Sequence, residues 1–281
     1  MSNNKFKQAA VLAVLLGTTP VLPGMPTAQA AVSAADEAMA DSYYDEAQSL
    51  LQHRSFEASM NYFDRALQLD NTKAEYFAGR ANLYYIIGNM QVKKALANEK
   101  LEPSLRGPFV QAMRDYTSAL DLDKNNADYY QARGITFRIL DEYDKALADF
   151  NKAISLVPNS FSLYDRRAEC YADMADYPKA LADLDKALSI NPNDHMNSYY
   201  RGIVLARQGK YDDALKYMNE ATKLSKWFAE PWLMMGIIYE QQNKDIDAIN
   251  AYGQYLARDK SQDTVTHSFV NERLHDLSKV K

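Results

Sequence analysis

The chain has 281 residues, of which 47% are hydrophobic and 25% charged, and 37 acidic against 32 basic side chains give a formal net charge of -5. These are the proportions of an ordinary soluble protein. The excess of negative charge argues against a nucleic-acid partner, because phosphate binding draws most of its free energy from Lys and Arg side chains that release counterions.

The first thirty residues have the layout of a secretory signal peptide. Lys5 and Lys7 precede an apolar run over residues 9–16, and the segment closes on Ala-Gln-Ala at 28–30, which is typical of a cleavage site. The run is shorter than the roughly 20 residues that a membrane span needs. We therefore expect cleavage after Ala30 and no integral membrane span in the mature chain, with an uncleaved anchor as the alternative.

A bacterial periplasm, or secretion, is the expected destination. Cys170 is the only cysteine, so the chain forms no internal disulfide even in an oxidising space, and its stability must come from packing. The sequence also contains no N-x-Ser/Thr acceptor site, which disfavours a glycosylated eukaryotic secreted protein.

A period of 34 residues dominates the mature chain. Residues 141–160 read "DEYDKALADFNKAISLVPNS", and residues 175–194 read "ADYPKALADLDKALSINPND", which is identical at eleven of twenty positions. The same period divides the chain into blocks at 40–73, 74–126, 127–160, 161–194, 195–228 and 229–262, of which only the second is over-long. A fixed period of this length is typical of a stacked repeat array.

Small and large side chains alternate at fixed positions of these blocks. The eighth position is always small and holds Ala47, Ala81, Gly134, Ala168, Gly202 and Gly236. The twenty-fourth position is large and holds Phe63, Tyr116, Phe150, Leu184, Met218 and Tyr252. Large positions spaced by three, four and seven residues share one helical face. Each block therefore predicts two antiparallel helices that approach closely at the small positions.

This pattern resembles the tetratricopeptide repeat, with its small eighth, aromatic eleventh, Ala twentieth, Ala twenty-seventh and Pro thirty-second positions. The resemblance covers residues 40–262 and implies an all-α fold, a right-handed α-solenoid of antiparallel helix pairs. It departs at Ser198, which replaces an aromatic residue, and at the thirty-second position, where Pro is replaced by Asn71, Lys124, Lys226 and Lys260. Residues 263–281 are expected to form a capping helix, and residues 31–39 a flexible leader or an early start of the first helix.

The resemblance also implies a concave groove, lined by the first helix of each pair, that binds a partner polypeptide. The family positions that line such grooves include Tyr44, Gln48, Asn82, Tyr85, Gln131, Arg138, Asp165, Glu169, Asp173, Tyr199, Arg207 and Glu240. The clamp by which some relatives hold a C-terminal carboxylate is not expected, because Ala78 and Ser162 stand where lysines are required.

Arginines recur at the seventh position as Arg80, Arg133, Arg167 and Arg201. The first three share their blocks with an Asp at the twenty-third position, on the facing helix, which predicts structural ion pairs with Asp115, Asp149 and Asp183. Arg201 has Tyr217 there instead. Either Asp213 supplies its partner, or Arg201 is free to meet a ligand in the groove.

The second block carries an insertion at about 89–108, which is locally basic. Its apolar spacing predicts a short helix that Pro103 ends. Long insertions in repeat proteins fall on loops, often at the binding edge, and this one is either part of such an edge or a tolerated surface loop.

No phosphate-binding glycine loop, nucleophile elbow or paired metal-ligand motif occurs in the sequence, and the four histidines are scattered. We therefore expect no catalytic residue, no cofactor and no metal. The first hypothesis is a non-catalytic, exported scaffold that binds a protein or peptide partner. The second is a structural protein that self-associates as a homo-oligomer through its groove or its end surfaces.

Overall fold

The structure is a computed structural model that describes residues 32–97, 103–260 and 264–279. The predicted signal segment, residues 1–30, lies outside this range. The α-helices are α1 (Ala34–Gln52), α2 (Phe56–Leu69), α3 (Ala74–Ala97), α4 (Gly107–Leu122), α5 (Ala127–Ile139), α6 (Tyr143–Leu156), α7 (Phe161–Asp173), α8 (Tyr177–Ile190), α9 (His195–Arg207), α10 (Tyr211–Leu224), α11 (Glu230–Gln241), α12 (Asp245–Arg258) and α13 (Thr264–Ser278). None of the described residues forms a strand, and the predicted all-α fold is confirmed.

The helices fall into two compact units that meet in the chain at Leu156 and Val157. The first unit holds the pairs α1/α2, α3/α4 and α5/α6. The second holds α7/α8, α9/α10 and α11/α12, followed by α13. No helix in the described ranges has the length and apolar character that crossing a bilayer requires.

Each pair is held by the predicted contact between a small residue and a large one. In α1/α2, Ala47 and Phe63 are fully buried in one cluster. In α11/α12, a Cβ atom added to Gly236 would overlap the ring of Tyr252, which is itself fully buried. The eighth position is therefore small because the large side chain of the second helix fills the space above its backbone.

The turn inside a pair follows one backbone pattern. At Ala175 the chain takes a positive φ of 59°, and Asp176 N–H donates to Tyr171 C=O over 2.8 Å. The residue after a helix often adopts this left-handed conformation and closes the last turn with such a bond. The same position has positive φ at Arg54, Asp141, Gly209 and Asn243.

The predicted ion pairs of the seventh-position arginines are confirmed. Arg167 holds both oxygens of Asp183 at 2.7 Å, and Arg133 holds both oxygens of Asp149 at 2.8 Å. The three Asp partners, including Asp115, are buried. These arginines join the two helices of a pair and are structural.

A second acceptor for these arginines comes from the preceding pair. Arg80 also donates to Asp64 on α2 over 2.7 Å, and Arg133 to the hydroxyl of Thr117 on α4 over 3.2 Å. Arg201 bonds to Asp185 on α8 at the equivalent position. The expectation that Asp213 pairs with Arg201 is wrong, because the partner lies one helix earlier.

Helix α1 begins at Ala34, where the Ser33 hydroxyl accepts from Asp36 N–H. Of the two alternatives for residues 31–39, the early start of the first helix is therefore correct from Ala34 onward, and the flexible leader is not. The insertion differs from its prediction where the structure describes it: residues 89–97 are helical, but as the last part of α3 and not as a separate helix. Residues 98–102 lie outside the described residues. Pro103 begins a 3-10 turn, and Arg106 at its end binds Asp141 over 2.7 Å.

Helix α13 packs against the last pair. Val270 is fully buried with Tyr252 and Tyr255. Arg273 donates to Glu240 on α11, with its Nε 3.1 Å from both carboxylate oxygens. Glu240, one of the predicted groove residues, is therefore paired within the chain.

Substituting Gly236 by Ala should destabilise the protein by about 1–3 kcal/mol, because the added methyl group must displace the packed Tyr252 ring. Thermal unfolding of the two proteins measures the difference. Gly253→Ala on the exposed side of α12 is the matched control, because a Cβ there meets no atom within 4 Å. It should stabilise the helix by about 1 kcal/mol. Equal shifts of the unfolding temperature in both variants would contradict a steric requirement for glycine at position 236.

Candidate peptide-binding surface

The structure divides the predicted groove residues between the two units. The first unit carries one set on its first helices: Tyr44, Gln48, Asn82, Tyr85, Gln131 and Arg138. The second unit carries the other on α7 and α9: Asp165, Glu169, Asp173, Tyr199, Arg201 and Arg207. We call these sets the first face and the second face.

Tyrosines and one carboxylate gather on the first face. The Tyr44 ring lies 5.1 Å from that of Tyr76, and Gln48 hydrogen-bonds to Tyr44. Burial raises the pKa of Tyr44 and of Tyr129, and the negative charge of Glu75 raises both further. Tyr44 on α1, Glu75 on α3 and Tyr129 on α5 therefore lie near one another. Tyr129 was missed by the sequence analysis because the third position of a block is not a family groove position.

Polar groups without an internal partner complete the first face. The side-chain amides of Asn82 and Gln131 make no hydrogen bond to any residue within the described ranges; Asn82 is exposed and Gln131 is partly exposed. The ring of Tyr85 packs edge-on against Phe109 at 6.0 Å. The two amides can each donate and accept hydrogen bonds, which is what a peptide backbone needs.

The second face is charged, and its charges are already paired. Arg166 Nη1 lies 2.7 Å from Glu169 and 3.1 Å from the Tyr200 hydroxyl. Arg207 on α9 donates to Asp173 on α7 over 2.7 Å. These bonds tie α7 to α9 one period apart and fix the side chains before any ligand binds.

An aromatic cluster follows on α9. The Tyr199 ring contacts the rings of Tyr200 and Phe228 at 5.8 and 5.1 Å. Burial raises the pKa of Tyr199, and the carboxylates of Glu230 and Glu169 add to the effect. Tyr200 faces the same surface but stands at the sixth position of its block, so the family pattern did not predict it.

Arg201 does not join this cluster. Its side chain is only 12% exposed, is paired with Asp185, and lies over the Tyr217 ring at 5.3 Å. The alternative of a free Arg201 is therefore wrong, since the guanidinium is paired with Asp185 on α8, and its role in ligand binding stays a prediction.

Asp165 is a buried carboxyl at the floor of the second face. It is 4% exposed and accepts a hydrogen bond from Asn197 Nδ2 over 3.1 Å. Burial raises the pKa of Asp165 to about 7 despite that bond, and the negative charges of Asp194 and Glu169 raise it further. The carboxyl is thus about half protonated at neutral pH and mostly protonated below it. Neither here nor elsewhere among the described residues do three His, Cys, Asp or Glu side chains converge as metal ligands.

Replacing Asp165 by Asn should remove a pH dependence of stability. The folded state keeps a proton on Asp165 that the unfolded chain, with a pKa near ~3.9, releases, so this contribution is lost as pH rises through about 7. As pH rises from 5 to 8, the free energy of unfolding of the variant should therefore increase relative to that of wild type by on the order of 2 kcal/mol. Denaturant unfolding at both pH values measures it.

The exposed carboxyl of Asp144, changed to Asn, controls for the loss of one negative charge. A stability difference that is the same at pH 5 and pH 8 for Asp165→Asn would show that Asp165 is ionised throughout.

Three segments of the chain match the sequence pattern of the tetratricopeptide repeat, namely residues 40–73, 127–160 and 166–226. A search of curated protein sequences finds no match.

Solved structures share the fold at low sequence identity. PilW, a widely conserved type IV pilus biogenesis factor, is 16% identical with a TM-score of 0.62, over 80% of this chain and 97% of PilW. PilF of Pseudomonas aeruginosa is 19% identical with a TM-score of 0.56, over 85% and 99%. MamA is 20% identical with a TM-score of 0.53, over 67% and 92%. Residues 40–73, 127–160 and 166–226 are thus tetratricopeptide repeats by sequence, and the chain shares the fold of solved tetratricopeptide proteins.

Proposed function

We propose that the protein is a non-catalytic scaffold, exported to the bacterial cell envelope, that binds a peptide segment of a partner protein on its first helices. Export is supported by the layout of residues 1–30, which ends in a small-residue cleavage pattern. Binding is supported by the tetratricopeptide fold and by the two polar, aromatic faces.

The observation that carries the proposal is the state of the first face. Asn82 and Gln131 present amide groups that no described residue engages, on the first helices of two successive pairs. Amides can bond to the backbone of an extended peptide whatever its side chains. Tyr44, Tyr85 and Tyr129 supply apolar ring surface beside them, which rewards an aliphatic or aromatic side chain.

The second face adds selectivity. Its Arg166–Glu169 and Arg207–Asp173 pairs are in place in the free protein, so a ligand meets charges whose positions are fixed. Little side-chain entropy is then lost on binding. A peptide with side chains of both signs can bond to the outer edges of these pairs, whereas a peptide of one sign meets repulsion from half of them.

Changing Asn82 and Gln131 together to Ala should weaken peptide binding about thirtyfold, because two hydrogen bonds of roughly 1 kcal/mol each are lost. The ligand is a peptide selected from a random library on the immobilised wild-type protein, and fluorescence anisotropy measures its affinity. Circular dichroism confirms that the variant keeps its helices.

The matched control is the pair Asn61→Ala and Gln111→Ala. These two amides are exposed on the second helices α2 and α4, away from the first face. The control should bind as wild type does. Selection of no peptide, or an equal loss in both double variants, would contradict binding on the first face.

A further inference from the structure

A basic, aromatic edge lies on the second unit where α10 passes into α11. Trp227 in this turn is 74% exposed, and Leu224, at the end of α10, is 41% exposed. A side chain as large and apolar as Trp is costly to leave in water. Its position at the tip of a short turn lets the indole ring reach beyond the helices.

Basic side chains converge on this tryptophan. Lys260 Nζ lies 5.0 Å from the centre of the Trp227 ring. Arg258 Nε donates to the backbone carbonyl of Lys226 over 3.1 Å, which draws the turn against the end of α12. Lys223 stands in the last turn of α10. We call the set Lys223, Leu224, Lys226, Trp227, Arg258 and Lys260 the basic edge.

Asp259, which lies between Arg258 and Lys260 in the sequence, is turned away from this edge. Asp259 is bonded to the hydroxyl of Tyr255 and to the His267 ring, both at 2.9 Å, and its side chain is 11% exposed. Two exposed carboxylates, Glu220 on α10 and Glu230 in the first turn of α11, flank the turn in the sequence. With four cationic side chains against these two, the basic edge is still net positive on a chain whose net charge is -5. This net positive charge attracts an anionic surface over about a Debye length.

We propose that the basic edge docks the second unit onto an anionic lipid bilayer. Tryptophan is enriched at the level of the lipid headgroups, where its ring is buried and its N–H stays hydrated. Lysine and arginine beside it pair with the phosphates of anionic lipids. A protruding ring flanked by cations suits a surface that can be penetrated.

Single-stranded nucleic acid is the other polyanion that combines negative charge with flat rings. It is bound by several aromatic side chains in a row along a basic groove. The basic edge has one exposed ring, and its neighbour Leu224 is aliphatic, which rewards insertion among acyl chains and offers no stacking surface to a base. The observations therefore favour lipid.

The test uses the full chain with vesicles of phosphatidylglycerol and phosphatidylcholine. Trp227 is one of only two tryptophans, so its emission reports directly on insertion. We expect the wild-type emission to shift to shorter wavelength on these vesicles and Trp227→Phe to lose the shift. Co-sedimentation of the double variant Trp227→Ala, Lys260→Glu should fall about tenfold or more. The wild-type interaction should weaken as salt is raised.

The matched control is Lys244→Glu with Ile246→Ala, a lysine and an apolar residue that are both exposed at the opposite end of α12. The control should sediment as wild type does. Every variant keeps the same first thirty residues, so any membrane affinity of that segment cancels between them.

Three results would overturn the proposal. The first is an unchanged emission of wild-type protein on anionic vesicles at low salt. The second is co-sedimentation of Trp227→Ala, Lys260→Glu at the level of the control. The third is a stronger association of wild type with a single-stranded oligonucleotide than with the vesicles, lost in the same double variant.

Discussion

The approach of two helix backbones inside each pair is the constraint on which the rest of the structure depends. A residue no larger than Ala on the first helix faces a large side chain on the second, as Ala47 faces Phe63 and Gly236 faces Tyr252. The large side chain is buried only if the first helix comes close, and the first helix can come close only if its residue is small. The contact also fixes the rotation of the first helix about its axis. The remaining positions of that helix are thereby directed either to the neighbouring pair or to the peptide-binding face.

Guanidinium groups extend this local contact to the next pair. Arg80 bonds to Asp115 of its own pair and to Asp64 of the preceding one, so one planar group joins three helices. Arginine suits this position because its fork of donors satisfies several acceptors at fixed angles, which a lysine ammonium does not. The partially buried carboxylates are charged and paired, and removing either partner would leave an uncompensated charge.

The periodic features of the fold were predictable from the sequence, whereas features that depend on neighbouring pairs were not. Helix pairing follows from small and large positions within one block, and so do the Arg133–Asp149 and Arg167–Asp183 pairs. The partner of Arg201 lies in the preceding block, and the family pattern contains no signal for that relation. The path of the insertion was also mispredicted. Its first residues continue the helical register of α3, and nothing before Ala97 breaks a helix.

The candidate site was predictable only as a set of helix positions. The sequence placed Asn82, Gln131 and Asp173 on first helices, but it could not show that the amides lack partners while Asp173 already has Arg207. Tyr129 and Tyr200 were missed because they stand beside the family's groove positions. Their rings are large enough to reach the site from these neighbouring positions, and the packing that directs them there is visible only in the coordinates.

The polar groups of the two faces are satisfied in different ways in the free protein, and this difference predicts how each face responds to a ligand. The first face leaves its amides to solvent, so a ligand gains hydrogen bonds that the free protein lacks, at the expense of displacing water. The second face satisfies its charges internally, and burial raises the pKa of one carboxyl, Asp165, to about 7. A cation brought close to such a carboxyl lowers its pKa and drives off the proton that it carries near neutral pH. Binding of a positively charged side chain at the second face should therefore release a proton from Asp165. Affinity at this face then rises with pH, while affinity at the first face, which depends on amides, does not change.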